Sequence, residues 1–328
     1  MAGQRVLVSG MGGDLGSRVA TLLEAEPWVG SLVGIDVSPP RRRLRHAEFH
    51  LVQAHERDRM VEVVTAFNPH VVVHLSVWEP ESRAGPAAAK RYTAQVTTAI
   101  LGAAAECRAL ESIVHRSGTE VYGRARRAPT RPDEGARLDP TCEFGRTLAG
   151  IERTATAVGK RAGVAVGAMR LAPVLGPHVP SPLGRMLRQA IVPYSVLADS
   201  PFAVVEDIDA ARAFVAAAAR RLDEPVNVVA PEAVTVLQAI LRGRRIPWPV
   251  VGPEWFFTRQ VSKLLGAPIP DHVVELMHRG RLADGSRMRE LLGITTRAST
   301  PEVIDRLHAW ESVVRIVPDR TAAPGSVA

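Results

Sequence analysis

An α/β fold, built on a doubly wound parallel sheet with a smaller mixed C-terminal lobe, is what the sequence predicts. Three observations carry the prediction. Short apolar runs alternate with segments of helical length and pattern from the start of the chain. A glycine-rich turn stands between the first such run and the first helix. After about Pro173 the alternation gives way to prolines and shorter segments.

The elements follow in order. Arg5–Ser9 is a continuous apolar run, the pattern of a parallel strand buried on both faces. Leu15–Glu24 is helical and stops near Pro27. Ser31–Ile35 is a second strand and Glu48–Gln53 a weaker third. Asp58–Phe67 is helical, with Val61, Val64 and Phe67 roughly on one face and Pro69 past its end. Val71–Leu75 is a fourth strand, Ala87–Glu106 a long alanine-rich helix, and Ser112–His115 a fifth strand. Glu143–Ala162 is a further helix and Val164–Leu171 a sixth strand. Residues 1–172 are thus assigned to one domain of βαβ units.

Pro173, Pro177, Pro180, Pro182 and Pro193 crowd the stretch that comes next. A helix over Ile208–Leu222, a strand over Val226–Val229 and a helix over Val234–Leu241 follow. Shorter helices are expected at Trp255–Leu265, Asp271–His278 and Pro301–Val314. Residues 173–318 are expected to form a smaller substrate or lid lobe closing on the sheet. Residues 319–328, rich in Ala, Pro, Gly and Ser, are expected to be a disordered tail. Trp248, Trp255, Phe256 and Phe257 read as core packing of that lobe, with an apolar substrate pocket or a membrane contact as the alternatives.

Composition excludes several classes. The chain has 328 residues, 46% hydrophobic and 23% charged, which is ordinary for a globular protein able to bury a sizeable core. Aromatics are only 5%, so Val, Leu, Ile and Ala must fill that core. No apolar run approaches the roughly 20 residues of a transmembrane helix. The N-terminus leads straight into a strand without signal-peptide order, and the expected location is cytoplasmic. Cys107 and Cys142 lie in no metal-binding spacing and read as reduced thiols; no metal is expected. The net charge of +7 is spread along the chain apart from Arg41–Arg43, and no nucleic-acid motif accompanies it, so no nucleic-acid partner is expected.

The turn reads Gly10-Met11-Gly12-Gly13-Asp14-Leu15-Gly16, between a strand and a helix. Gly10 permits the tight turn, Gly13 lets the backbone approach a pyrophosphate, and Gly16 lets the helix pack closely on the strand. The pyrophosphate would rest on free amides at the helix start, favoured by the helix dipole. Asp36 ends the second strand, 20 residues beyond Gly16, where a carboxylate accepts hydrogen bonds from the adenosine ribose. The same charge repels the extra phosphate of NADP. This is a Rossmann-type arrangement for a dinucleotide, with NAD favoured over NADP.

At these residues the chain resembles the extended short-chain dehydrogenase/reductases, the NAD-dependent epimerase/dehydratase group. Further elements carry the resemblance to about Trp310. They are His74-Leu75-Ser76-Val77 from the end of strand four, Ser117-Gly118-Thr119-Glu120-Val121-Tyr122-Gly123 as the strand-five ending, Arg170 to Pro177 from the end of strand six, and Val205-Glu206-Asp207-Ile208. Gly285–Ile294 matches a late family element. The resemblance implies cofactor contacts from the glycine loop, Asp36, Leu75 and Ser76. It places His55 where relatives often carry an adenine-contacting Asp, and Thr93 where they carry an Asn. It also implies a homodimer, in which Ala87–Glu106 and Glu143–Ala162 pair across a two-fold axis.

The catalytic element departs from the pattern. The family's Tyr-x-x-x-Lys pair falls on Phe144 and Leu148, and its Ser or Thr on Gly118. Phenylalanine has no proton to give and leucine no charge. None of the three tyrosines, at 92, 122 and 194, has a Lys four residues on. Thr119 and Glu120 match the positions of the acid/base pair of the family's sugar dehydratases, so Thr119, Glu120 and Phe144 are the expected substrate-facing residues. The expectation is a dinucleotide-binding protein without the family's ordinary redox chemistry and with no assigned catalytic residue. Its other ligand would be a small molecule or a partner protein. The alternative is a rewired oxidoreductase, epimerase or dehydratase, using Glu120, that acts on a nucleotide sugar or an apolar alcohol or ketone.

Overall fold

A computed structural model of the chain describes residues 3–82, 84–125, 128–250 and 269–309. Its first half runs β1 (Gln4–Ser9), α1 (Asp14–Leu23), β2 (Val29–Asp36), β3 (Glu48–Leu51), α2 (Arg57–Phe67), β4 (Val71–His74), α3 (Pro86–Ala104), β5 (Ser112–Gly118), α4 (Glu143–Ala162) and β6 (Ala165–Leu171). The second half adds β7 (Val174–Leu175), α5 (Pro182–Leu187), β8 (Ile191–Ser195), β9 (Pro201–Phe202), β10 (Val205–Glu206), α6 (Asp207–Ala219), β11 (Pro225–Val228), β12 (Val234–Thr235), α7 (Val236–Arg242), β13 (Ile246–Val250), α8 (Asp271–Arg279), α9 (Ser286–Leu292) and α10 (Thr300–Ala309).

Seven strands form one parallel sheet in the order β11-β6-β5-β4-β1-β2-β3. Strand order reverses between β1 and β4, and a ligand crevice belongs outside the carboxyl ends of those two strands. All four residues of β4 are buried, as its unbroken Val-Val-Val run requires of a central strand with helices on both faces. Ala210, Ala211, Ala213 and Ala217 of α6 are buried in one core cluster with Val19, Ala20 and Leu23 of α1; with so few aromatics, small residues do the close packing.

The sheet does not close at residue 172. Its seventh strand, β11, comes from 225–228, and α6 covers the same face as α1. The second lobe has its own core, including Leu183, Met186, Val192, Phe202, Ile240, Leu276, Ile304 and Leu307. Two elements there carried no periodic signal: β8 and β13, which pair in parallel, each contain proline. Trp248 lies in β13 with 58% of its surface exposed, so it is not core, contrary to the packing reading. Trp255, Phe256, Phe257, the helix expected at 255–265 and the tail 319–328 lie outside the described residues. Among the described residues no helix is long and apolar enough to cross a membrane, and no cluster could hold a metal ion.

Candidate functional site

The crevice lies where the strand order predicts. Gly10, Gly13, Asp14, Leu15, Gly16, Asp36, Leu75 and Ser76 line one side, and Val174, Val179, Pro180, Ser181 and Asp207 face them. Gly10 sits at φ +82°, in the left-handed region, and a Cβ there would come within 2.6 Å of the Leu75 carbonyl carbon. A Cβ at Gly16 would run into the Gly10 carbonyl oxygen, and one at Gly12 into the Ser38 carbonyl. Gly13 caps α1 in an extended conformation, so the first-turn amides have no intrahelical acceptor. The buried Asp36 carboxylate accepts the Val37 amide at 2.6 Å. This cradle fits a pyrophosphate on bare backbone amides with a ribose against Asp36.

Two of the expected loop contacts shape the turn without lining the crevice. Met11 is fully buried, with its thioether against Gly34, and Gly12 packs on the Asp36 side chain and Ser38. His55 stands exposed in the turn after β3 and is not among the crevice-lining residues. Arg41 folds back over α1, its amide bound to Ser17 Oγ at 2.8 Å and its guanidinium to Asp14 at 3.1 Å. Thr93 accepts the Trp78 amide at 3.0 Å and so ties the segment after β4 to α3.

A second pocket opens off the crevice, sharing Glu79, Arg116 and Val174 with it. Ser117, Glu120, Phe144, Leu148 and His272 also line it. Three helical elements deliver these groups. The 3-10 turn Thr119–Tyr122 carries Glu120, the N-terminal turns of α4 carry Phe144 and Leu148, and the start of α8 brings His272 from the other lobe. Gly118 ends β5, next to the pocket-lining Ser117. A Cβ there would strike Glu120 Oε2 and come within 3.0 Å of Leu148 Cδ1. The Phe144 ring lies 4.8 Å from the His272 ring, and His272 Nε2 lies 3.0 Å from Glu79 Oε1.

Glu120 is anchored. The Arg281 guanidinium, with 2% of its side chain exposed, donates to Glu120 Oε1 at 2.6 Å and to Glu275 Oε1 at 2.8 Å. Thr141 Oγ1 donates to the other Glu275 oxygen at 2.5 Å. Burial alone would lower the Arg281 pKa, but Glu120, Cys142 and Glu275 outweigh it and the net direction is up. Cys142 caps α4, accepting the Gly145 amide. Burial pushes its thiol up to about 11 against the pull of Arg281, so it stays protonated and non-nucleophilic at neutral pH. Thr119 is buried, and its hydroxyl oxygen has no hydrogen-bond partner among the described residues.

Behind the pocket a buried network fixes α4 to the sheet. Arg170 donates to both Glu152 oxygens, at 3.0 and 2.8 Å, and to Tyr122 Oη at 3.0 Å. Ser117 donates to Glu152 at 2.5 Å, and Tyr122 donates to Asn227 Oδ1 at 2.7 Å. Burial pushes the Tyr122 hydroxyl up to about 12 despite Arg170. Near the strand ends, His74 is clamped between Ser9 Oγ at 2.6 Å and Thr97 Oγ1 at 2.9 Å. Its two ring nitrogens are thereby engaged, which makes it a structural tie between β1, β4 and α3.

Glu120 and Phe144 therefore meet in one pocket, as their positions imply, while Thr119 lies outside its lining. Sequence reasoning missed Glu79, Arg116, His272, Glu275 and Arg281. Arg116 stands at the junction of crevice and pocket, donating to the Val77 carbonyl at 3.3 Å. Glu79 follows the expected contact Ser76 by three positions, and nothing but the fold pairs it with a histidine 193 residues away.

Fold and crevice together define a dinucleotide-binding α/β protein of the extended, two-lobed type. The family model for the NAD dependent epimerase/dehydratase family matches residues 6–219, and the chain belongs to that family. An uncharacterized protein of Mycobacterium tuberculosis is 28% identical, covering 95% of this chain and 85% of its own length. Among solved structures, the chain is similar to UDP-glucose 4-epimerase of Thermotoga maritima with UDP-glucose. The TM-score is 0.72 at 19% identity, over 93% of this chain and 98% of that one. It is likewise similar to the UDP-glucuronic acid 4-epimerase of Bacillus cereus in complex with NAD, with a TM-score of 0.70 at 18% identity over 93% and 97%. NAD is the cofactor the family is named for, and the glycine loop with Asp36 supplies the groups that such a cofactor needs.

Proposed function

We propose that this chain binds NAD in preference to NADP and does not carry out the family's redox chemistry by a Tyr/Lys mechanism. The observation that carries the reading is the convergence of Phe144 and Leu148 on one pocket that opens off the glycine-loop crevice, with Gly118 packed close to Leu148 and Glu120. The α1 amides and Gly13 would hold the pyrophosphate, Asp36 the adenosine ribose, and Leu75 and Ser76 the next stretch toward the pocket. When bound, the nicotinamide supplies a hydride acceptor. In the pocket itself the phenyl ring and the leucine offer neither the proton nor the charge that such chemistry uses in the family. Glu120 is held as an anion partner of Arg281, which supports a structural role over the acid/base role of the alternative reading.

Calorimetry tests the reading. NAD is expected to bind with a dissociation constant in the micromolar range, about −8 kcal/mol, and to bind more tightly than NADP. Absence of any heat with either nucleotide removes the proposal. Asp36→Ala removes charge-assisted hydrogen bonds to the ribose, each worth about 1.5–3 kcal/mol. It is expected to weaken NAD roughly tenfold or more and to narrow the gap to NADP. An unchanged NAD affinity in that variant assigns the ribose to another residue.

The second reading, a rewired enzyme, draws on the polar groups that remain, Arg116, Glu79 and His272. Similarity to epimerases of UDP-glucose, UDP-glucuronic acid and UDP-galactose makes these the first nucleotide sugars to screen. A homodimer through α3 and α4 is part of the proposal. Ala87, Ala94 and Thr98 are exposed on α3, and a Cβ at Gly102 would meet open space. Light scattering of the full chain is expected to give twice the chain mass, and Thr98→Arg to give the single-chain mass. A wild type of single-chain mass ends that part of the proposal. A cytoplasmic location completes it, to be checked by cell fractionation.

A further inference from the structure

We propose that His272, positioned by Glu79, is a proton-transfer residue of this protein and does the work for which Phe144 has no hydroxyl. The inference rests on the preceding reading of Phe144. Its independent support is placement. His272 comes from the second lobe, its ring packs on Phe144 at 4.8 Å, and its Nε2 is 3.0 Å from Glu79 Oε1. The imidazole lines both the pocket that continues the crevice and a neighbouring hollow bounded by Trp78, Pro86, Lys90 and Ile269. Glu79 lines the crevice and the pocket. The pair thus stands where the two ligand spaces meet.

A carboxylate on one ring nitrogen fixes the tautomer and leaves the other nitrogen as a base. With the proton on Nε2 donated to Glu79, Nδ1 is the acceptor. The substrate hydroxyl O–H bond breaks and the Nδ1–H bond forms; with NAD bound, the electron pair left on oxygen would close the carbonyl as the carbinol C–H bond gives its hydride to the nicotinamide, the two-electron acceptor. The resulting imidazolium is balanced by Glu79 and passes its proton to solvent, or back to the substrate oxygen when the hydride returns. The other charged groups lining these two spaces with the imidazole are Arg116 and Glu120 in the pocket, Glu81, Lys90 and Glu143 in the hollow, and Asp271 beside it on α8.

The ligand class is therefore a small hydroxyl compound reaching the pocket beside the dinucleotide. Glu79 is a positioning residue in this scheme, and His272 is the group that touches substrate.

Nitrogen-15 NMR of histidine-labelled full chain with NAD tests the arrangement without turnover. Neutral His272 is expected to carry its proton on Nε2. Glu79→Gln is expected to remove that preference, since the amide can donate to Nε2 as well as accept from it. A proton on Nδ1 in the wild type, or a tautomer unmoved by Glu79→Gln, overturns the proposal. In the second arm, wild type is given NAD and the nucleotide sugars named above, and NADH is followed by absorbance. The fastest reaction is expected to fall about 10²-fold or more in His272→Gln, with NAD affinity by calorimetry unchanged. No NADH from wild type with any of the sugars, or an equal rate in the variant, also overturns it. Failure of NAD to bind at all would instead be failure of the earlier reading.

Discussion

Arg281→Met is expected to cost about 3–5 kcal/mol of folding stability, the range for a buried ion pair that loses one member. The cation is 2% exposed and holds two carboxylates, Glu120 from the first lobe and Glu275 from α8. Methionine fills much of the volume but leaves two buried carboxylates facing each other. Part of the penalty escapes as those groups take up protons, so the loss is largest near neutral pH. Urea unfolding of wild type and variant at pH 7 gives the number. Adding Glu120→Gln is expected to return a measurable part of it, because one of the stranded charges is gone. A loss below 1 kcal/mol would mean that solvent reaches the cluster. The same backbone is tied to β9, where the Arg281 amide donates to Pro201 O at 3.0 Å and the Ala203 amide to Arg281 O at 2.9 Å. Loss of the Arg281–Glu120 pair loosens the join between lobes, and its effect should extend to ligand affinity.

Acid is the second strong lever. Burial lowers the His74 pKa from 6.5 to about 3, with His115 pushing the same way. The unfolded chain takes up a proton below pH 6.5 that the folded one refuses until about pH 3. Stability from this residue is thus fully present above pH 6.5 and lost as pH falls toward 3. The slope is about 1.4 kcal/mol per pH unit, so moving from pH 7 to 5 costs about 2 kcal/mol. Burial also lowers the pKa of His115, whose contribution has the same sign. Urea midpoints at pH 7 and pH 5, in wild type and His74→Gln, measure the effect. The variant is expected to be less stable at pH 7, since its hydrogen bonds to Ser9 and Thr97 are altered, yet to lose less on acidification. Equal losses in both proteins would place the titration elsewhere.

The sheet was legible because its code is local. Val71–His74 is apolar without interruption, as a central parallel strand must be, and the Gly10–Gly16 turn needs backbone shapes that other residues resist. Asp36 was legible because chain length between loop and strand end is fixed by the βαβ unit. The second lobe was not. Ile191–Ser195 and Ile246–Val250 pair across 55 residues of chain with prolines inside both strands, and no period betrays that. The return of β11 to the sheet was hidden for a related reason. Val226–Val229 reads as a strand on its own, but which edge it joins depends on tertiary packing.

For the site, Glu120, Phe144 and Leu148 came from aligned positions, whereas Glu79 and Arg116 carried no signal and His272 and Arg281 come from the other lobe. A lone histidine or arginine in a sequence says nothing about what it will meet. Thr119 shows the converse limit, since a position inherited from a motif did not bring its side chain into the pocket lining.

The crowding around Gly118 also couples positions that lie far apart in the chain. A Cβ at 118 would meet Glu120 Oε2 and Leu148 Cδ1, so a larger residue there needs both side-chain ends to give way. Glu120 in turn is held by Arg281, and a displaced Glu120 leaves that buried cation with Glu275 alone. Substitutions at 118, 120, 148 and 281 are therefore expected to be non-additive, each setting the cost of the next.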